Sequence, residues 1–136
     1  MTVTKQYLEE TKEIVTALQD MADEITRLKE KAVATPAQLF SDVRVQASKK
    51  KDAMAERVVK YADLEELYTQ TYDRYVDRSS VINRVIGPIP FREQLVIIRY
   101  YIRGESVPAI CDALYISRGT FYKRLRSALA HIADID

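Results

Sequence analysis

SVPAICDALYISRGTFYKRLRSAL, residues 106–129, has the apolar spacing of two short helices joined by a tight turn. Ile110, Cys111 and Leu114 share one face of the first predicted helix. In the second helix, apolar residues recur every three or four positions: Phe121, Leu125, Ala128, Leu129 and Ile132. Two neighbouring helices that each have an apolar face bury those faces against each other, so this stretch predicts a pair of crossed helices.

Ser117 lies just before the second helix and is a good N-cap, because its hydroxyl can accept a backbone N–H of the first turn. The helix is therefore predicted to begin at Arg118. No acidic residue lies between Asp112 and Asp134. A helix surface without carboxylates favours binding to a negatively charged phosphate backbone. The predicted DNA-binding residues are Ser117, the residues on the outward face of the helix and the residues that flank that face. The outward face carries Gly119, Tyr122, Lys123, Arg126 and Ser127, and the flanking residues are Arg118, Thr120 and Arg124.

The longer run REQLVIIRYYIRGESVPAICDALYISRGTFYKRLRSAL, residues 92–129, resembles region 4 of bacterial sigma factors and, more loosely, the LuxR-type helix-turn-helix. Two positions depart from that pattern. Cys111 replaces the usual Ala, and Tyr115 stands where Gly commonly takes a left-handed turn, at a cost of ~1 kcal/mol for another residue. The matching residues are Gly104, Ile110, Cys111, Leu114, Ser117, Gly119, Thr120, Phe121, Arg124 and Leu125.

The resemblance implies that the helix from Arg118 enters the major groove, with Arg118, Thr120 and Arg124 near phosphates or adjacent bases. From the geometry of the helix, we also expect Gly119, which has no side chain, to let the helix backbone come close to DNA. The side chains expected to reach base edges are Tyr122, Lys123 and Arg126.

The whole chain also resembles small phage proteins that include late transcriptional regulators of the ArpU and RinA type. This likeness covers both halves, including the VQAS…DAMAERVVKYADLE stretch. It implies a phage-encoded regulator of late genes that acts in the host cytoplasm on double-stranded DNA. The chain has no counterpart of the sigma region that melts promoters, so we expect it to recruit or reposition RNA polymerase.

Composition favours an all-α fold, since 136 residues include only three Gly and four Pro, and no window alternates polar with apolar residues for long. The net charge is +1, but residues 87–136 hold seven Lys/Arg against five Asp/Glu. The single cysteine, Cys111, cannot form an internal disulfide and is expected to be a buried small residue in a reducing cytoplasm. No apolar run approaches the ~20 residues that span a bilayer, so no membrane is expected as a partner.

The N-terminal two thirds predict an arm of two long helices, over residues 1–87. A seven-residue repeat runs through Tyr7, Thr11, Ile14, Leu18, Met21, Ile25, Leu28 and Ala32. A second row runs through Met54, Val58, Tyr61, Tyr68, Tyr72, Tyr75, Ile82 and Ile86, with Glu65 and Ser79 as polar interruptions. We expect an antiparallel, coiled-coil-like hairpin, whose stripe leaves room for a homodimer or another homo-oligomer.

Residues 88–136 then form a trihelical helix-turn-helix domain, whose supporting helix is expected to turn Phe91, Leu95, Ile98 and Ile102 inward. Residues 34–50 lack a sustained period and are either a mobile connection or a contact surface. The row of tyrosines is expected to pack in the seam with hydroxyls at its edge. The lysine run 49–51 is expected to be a solvated face.

Catalysis is not expected, because the chain lacks a P-loop, a GxSxG motif and a glycine-rich phosphate cradle. His131, the only histidine, has no metal-ligand spacing around it, and no cofactor is predicted. Two alternatives to a regulator stay open. One is a DNA-packaging component, such as a small terminase-like subunit, whose arm builds a ring. The other is an adaptor that binds another protein through the arm.

Overall fold

The structure, a computed structural model, describes residues 3–32 and 47–135, with side chains for 3–31 and 61–135. All regular secondary structure in these residues is helical, which confirms the predicted all-α class. The helices are α1 (Lys5–Ala32), α2 (Ala47–Val85), α3 (Phe91–Ile97), α4 (Val107–Leu114) and α5 (Arg118–Asp134), and a π-helical turn (Ile98–Ile102) continues α3.

Local signals fix several of the helix ends. Thr4 caps α1, since its hydroxyl accepts the backbone N–H of Tyr7 at 3.1 Å. Between α2 and α3, the Gln94 side chain donates to the carbonyls of Gly87 and Ile89 at 2.9 and 3.0 Å. Gly104 ends the π-helical turn with a φ of 66°, a left-handed conformation that suits glycine. Gly104, one of the residues that match the pattern of sigma region 4, therefore ends the helix that precedes α4.

Contacts divide the chain into two units, Met1–Ala17 with Asp73–Asp136, and Leu18–Tyr72. The predicted boundary at residue 87 does not coincide with this division. Leu8 of α1 and Ile82 of α2 are fully buried in the same core as the C-terminal helices. The first turns of α1 and the last turns of α2 thus share one core with α3, α4 and α5, and we call this first unit the head.

The supporting helix, α3 with the π-helical turn that continues it, turns Ile102 and, in part, Ile98 towards the core as predicted, but it turns Phe91 outward. Phe91 is 69% exposed, whereas Val96 and Ile97 are fully buried and Tyr101 nearly so. The inward face also carries Glu93, which is 8% exposed. The prediction is therefore confirmed for Ile102 and for the partly buried Ile98, and it is wrong for Phe91.

The two long helices contact each other within the first unit through Arg78. Its guanidinium donates to the Tyr7 carbonyl at 2.8 Å and to the Thr11 hydroxyl at 3.0 Å, and it pairs with Glu10 at 3.1 Å. Thr11 is fully buried, so the polar interruption in the heptad row has a specific partner. In this unit the predicted seam is held by a hydrogen-bonded cluster as well as by apolar packing.

The row of tyrosines is only partly buried. Tyr75, in the first unit, donates its hydroxyl to the Ile102 carbonyl at 2.9 Å. In the second unit, Tyr68 and Tyr72 stack at 6.2 Å between ring centroids, and Tyr72 is 46% exposed. The expectation of seam packing is thus wrong for Tyr72. Of the predicted connection 34–50, residues 34–46 lie outside the described residues, and the rest begin α2.

Candidate nucleic-acid interface

The turn between α4 and α5 has the geometry that the sequence predicted. α4 ends at Tyr115, which takes the left-handed conformation at φ 55° and ψ 45°, and the backbone N–H of Ile116 donates to the Cys111 carbonyl at 3.0 Å. Tyr115 is 95% exposed, so its ring contributes little packing in return for the backbone strain. A tyrosine therefore occupies the left-handed position usually taken by glycine.

Ser117 fixes the start of α5. Its hydroxyl oxygen accepts the backbone N–H of Thr120 at 3.1 Å, and α5 begins at Arg118. Ser106 caps α4 in the same way, accepting from the backbone N–H of Ala109 at 3.3 Å. The predicted cap and helix start are confirmed, and the capped end of α5 lies at the protein surface.

The inner face of α5 is clamped in the core of the head. Phe121 and Ala128 are fully buried, and Leu125 and Ile132 are less than a tenth exposed. The Phe121 ring meets the ring of Tyr100, in the π-helical turn, edge to face at 5.5 Å. α5 is thereby held rigidly, with a defined side turned to solvent. Cys111, predicted to be buried, is only partly buried beside it.

The candidate residues occupy the rest of the α5 circumference. Arg118 stacks its guanidinium towards the ring of Tyr122, 5.7 Å from the ring centroid. Six of the candidate residues are exposed: Ser117, Arg118, Gly119, Tyr122, Lys123 and Arg126. The other three are partly buried: Thr120, Arg124 and Ser127. The structure thus brings the exposed cations together on the outward side of one helix.

Gly119 is not required by the fold. It has no positive φ, and a Cβ added there would meet only the Ser117 hydroxyl, at 3.9 Å. A glycine in the first turn of a helix lowers stability relative to alanine by roughly 0.5–1 kcal/mol. An open glycine on the exposed side of α5 leaves room for another molecule to approach the backbone.

Ser127 lies on the flank of α5 that faces α3, rather than on the outermost side. Its hydroxyl donates to the carboxylate of Glu93, which is 8% exposed. His131, one turn further on, places Nδ1 2.6 Å from the other carboxylate oxygen of Glu93. The Ser127 hydroxyl therefore attaches α5 to α3. Ser127 and His131 lie at i and i+4 on α5, but no local pattern in the sequence indicates Glu93 as their common partner.

The opposite flank of α5 lines a groove that the sequence did not predict. The groove has a volume of about 710 Å³ and runs between the first turns of α1 and the C-terminal helices. The Lys12 ammonium lies 3.4 Å from the ring centroid of Tyr100, which in turn contacts Phe121. The residues lining the groove are Lys5, Glu9, Lys12, Glu13, Thr16, Tyr100, Tyr101, Tyr122, Leu125, Arg126 and Leu129.

Neither a metal-binding cluster nor a membrane-spanning helix is found in the part of the chain that the structure describes. No group of three or more His, Cys, Asp or Glu side chains there could hold a metal ion. Among the same residues, no helix combines the length and apolar character that crossing a membrane requires.

Comparison with curated proteins and with solved structures gives no match. A family model described as "Protein of unknown function (DUF1492)" matches residues 32–133, which include all of α2, α3 and α4 and all but the last residue of α5. Because that match covers more than half of the sequence, the chain belongs to the DUF1492 family.

Proposed function

We propose that this chain is a sequence-specific DNA-binding regulator of transcription, in which α5 enters the major groove of a duplex. The observation that carries the proposal is the Ser117-capped α5, whose apolar face is clamped in the core while its exposed side presents Arg118, Lys123 and Arg126. A B-DNA major groove is about 12 Å wide and admits one α-helix. The charges on α5 favour the phosphates that border such a groove.

The roles of the side chains follow from their places on α5. Lys123 and Arg126 project from the exposed side, where they can reach guanine O6 and N7, and Tyr122 lies beside them. Arg118 and Thr120 lie in the first turn, near a phosphate strand, and Gly119 admits close approach of the backbone. Of the sequence-predicted set, Ser127 contributes by holding the helix in place.

The regulatory part of the proposal rests on the resemblance to phage late transcriptional regulators and to sigma region 4. A head of that kind without a promoter-melting region would recruit or reposition RNA polymerase at late genes. This step is tested by immobilising the chain, adding promoter DNA and purified host polymerase, and measuring how much polymerase is retained. If a support without the chain retains the same amount of polymerase, the step is contradicted.

DNA binding is tested by selecting bound fragments from a genomic library and measuring affinity for the selected duplex by fluorescence anisotropy. The variant K123A/R126A should bind at least about tenfold more weakly, since one bidentate guanine contact contributes ~1–3 kcal/mol. The slope of log affinity against log salt concentration should also be shallower for the variant than for the wild type, by about 1 for each phosphate that the variant no longer neutralises.

The matched control is K29A/K31A, which removes the same number of cations from the last turn of α1. It should keep wild-type affinity and salt dependence. Equal affinities for K123A/R126A and the wild type would remove α5 from the interface. Failure of the wild type to bind any duplex at low salt would overturn the proposed function.

A further inference from the structure

The turn between α4 and α5 contains a residue whose backbone conformation does not suit its side chain. Tyr115 has φ 55° and ψ 45°, and no other non-glycine residue that the structure describes has a positive φ. This left-handed region is unfavourable for a residue with a Cβ and open to glycine. Residues held in it cluster at functional sites, ligand-binding segments among them.

The fold needs the conformation of Tyr115 but gains nothing from its side chain. The backbone N–H groups of Tyr115 and Ile116 both donate to the Cys111 carbonyl, and a glycine at position 115 would keep both bonds. The tyrosine side chain forms no hydrogen bond or ring contact with any residue whose side chain is described, and Tyr115 is 95% exposed. The strain therefore has no compensation within this part of the chain.

Gly119 departs from the preference of the fold in the opposite sense, four positions further on. Its φ is not positive, and a Cβ there would meet only the Ser117 hydroxyl, at 3.9 Å. A tyrosine where glycine fits and a glycine where alanine fits thus lie on either side of the Ser117 cap, and both are exposed. Such local conflicts are expected at functional sites. Two separate observations therefore indicate that another molecule meets the protein here.

The docking geometry of a helix-turn-helix indicates which part of a duplex this would be. The first helix of the motif crosses the sugar-phosphate backbone, and the N-terminal residues of the second helix contact base edges. The turn joins these two places, and Tyr115 lies three residues before Arg118, the first residue of α5. Tyrosine is among the side chains that donate hydrogen bonds to phosphate oxygens.

We propose that the Tyr115 hydroxyl donates a hydrogen bond to a phosphate oxygen of the strand that α4 crosses, and so anchors the start of α5 on the duplex. The inference rests on the proposed function and adds a residue of the turn to the DNA interface. A phosphate contact carries no sequence information, so it strengthens binding to all duplexes alike. Gly119 then lets the anchored backbone come close to the bases.

The first test compares the full chain with the Y115F variant, which keeps the ring and loses the hydroxyl. Fluorescence anisotropy should show binding about threefold to tenfold weaker, the range expected for one lost hydrogen bond. The loss should be the same on the selected duplex and on a duplex of arbitrary sequence. The slope of log affinity against log salt concentration should not change, because the variant keeps every cation.

The Y115G variant separates a DNA contact from a structural role. It removes the strain together with the side chain, so its midpoint in urea denaturation should be at least as high as that of the wild type, while its affinity for DNA should fall at least as far as that of Y115F. The matched control is Y72F, which removes a hydroxyl from a tyrosine of the second unit that is 46% exposed. It should keep wild-type affinity.

The phosphate is located with duplexes in which a methylphosphonate replaces one phosphate at a time. At the phosphate that Tyr115 binds, the wild type should lose its advantage over Y115F. An advantage that persists at every modified position, or a loss in Y115F confined to the selected sequence, overturns the phosphate contact. If the wild type binds no duplex, the proposed function fails; if the wild type binds and both Tyr115 variants bind as tightly, only this inference fails.

Discussion

At the scale of single residues, the proposed interface requires a glycine at position 119, whereas the fold does not. Its helical backbone and the open space around it would accept a methyl group. We expect G119A to raise the free energy of unfolding by roughly 0.5–1 kcal/mol, because alanine loses less backbone entropy in a helix. The same methyl should weaken DNA binding by holding α5 away from the duplex. Urea denaturation and fluorescence anisotropy measure the two effects.

Gly104 provides the control for this change. Its φ of 66° lies in the left-handed region, so G104A should lower the free energy of unfolding by about 1 kcal/mol. A G119A variant that is both more stable and unimpaired in DNA binding would show that the glycine serves no contact. A less stable G119A variant would contradict the helical placement of this residue.

Tyr101 should make the stability of the head depend on pH at the alkaline end. Burial, with help from Tyr100 and Glu9, raises the pKa of its phenol to about 12, against 10.0 for an unperturbed tyrosine. Between pH 10 and about 12 the unfolded chain ionises at this residue while the folded chain keeps its proton. The free energy of unfolding should therefore fall across that interval.

The measurement is urea denaturation from pH 9 to pH 12 on the wild type and the Y101F variant, with the Tyr101 contribution taken as their difference. Below about pH 10 that difference should be constant, because Tyr101 is protonated in both states. Above it, the wild type should lose stability faster than Y101F. Parallel curves up to pH 12 would show that Tyr101 does not titrate differently in the folded chain.

At the scale of the helices, Glu93 attaches α5 to α3 through Ser127 and His131. Removal of the carboxylate in E93A should lower the free energy of unfolding by roughly 2 kcal/mol, since hydrogen bonds to a charged group contribute about 1.5–3 kcal/mol. E93Q should lose less, because its amide oxygen can still accept from the Ser127 hydroxyl. Urea denaturation checks both variants. A loss below about half a kcal/mol in E93A, the size of an ordinary surface substitution, would contradict the attachment.

The helices of the head show which elements can be predicted from sequence. The faces of α4 and α5, the Ser117 cap and the stop at Gly104 depend on local spacing and backbone preference, so neighbouring residues suffice to predict them. The inward side of the supporting helix was predicted correctly at Ile102 and wrongly at Phe91, and the sequence did not predict the burial of Glu93. Its partners, Ser127 and His131, lie 34 and 38 residues away, beyond the reach of any local pattern.

The same limit holds for the candidate site. The basic residues of α5 could be predicted, because they share a helix and their spacing defines its outward side. The part of the groove formed by α1 could not, since its residues, among them Glu9 and Glu13, come close to α5 only through the tertiary packing of α1 on the head. Leu8, which lies in an otherwise polar stretch of α1, is fully buried, although it is not in the heptad row through Tyr7 and Thr11. Such a row predicts that the helix has a partner, but it does not predict which surface of the protein that partner is.

At the scale of the whole molecule, the arm is expected to make the chain a homodimer. Leu67 of α2 is a large apolar side chain that is 48% exposed; it lies outside the predicted stripe, on a surface that a second chain can cover. Light scattering at several concentrations should give twice the chain mass of 15.7 kDa. L67K should shift the mass towards one chain, whereas Q70K, the same new charge on another exposed position of α2, should not. A ring of eight or more chains would instead favour a DNA-packaging component.

A dimer would carry two heads and should bind paired half-sites, with centres about 10 bp apart or a multiple of that, because each α5 must meet a major groove on a compatible face of the duplex. Inserting half a helical turn, about 5 bp, between the selected half-sites should reduce wild-type affinity sharply, and a full turn should restore most of it. Monomeric L67K has no second head to align, so its weaker binding should not change with spacing. Wild-type affinity that is equally insensitive to spacing would mean that each head binds alone, and the arm would then have to serve a partner other than a second copy of this chain.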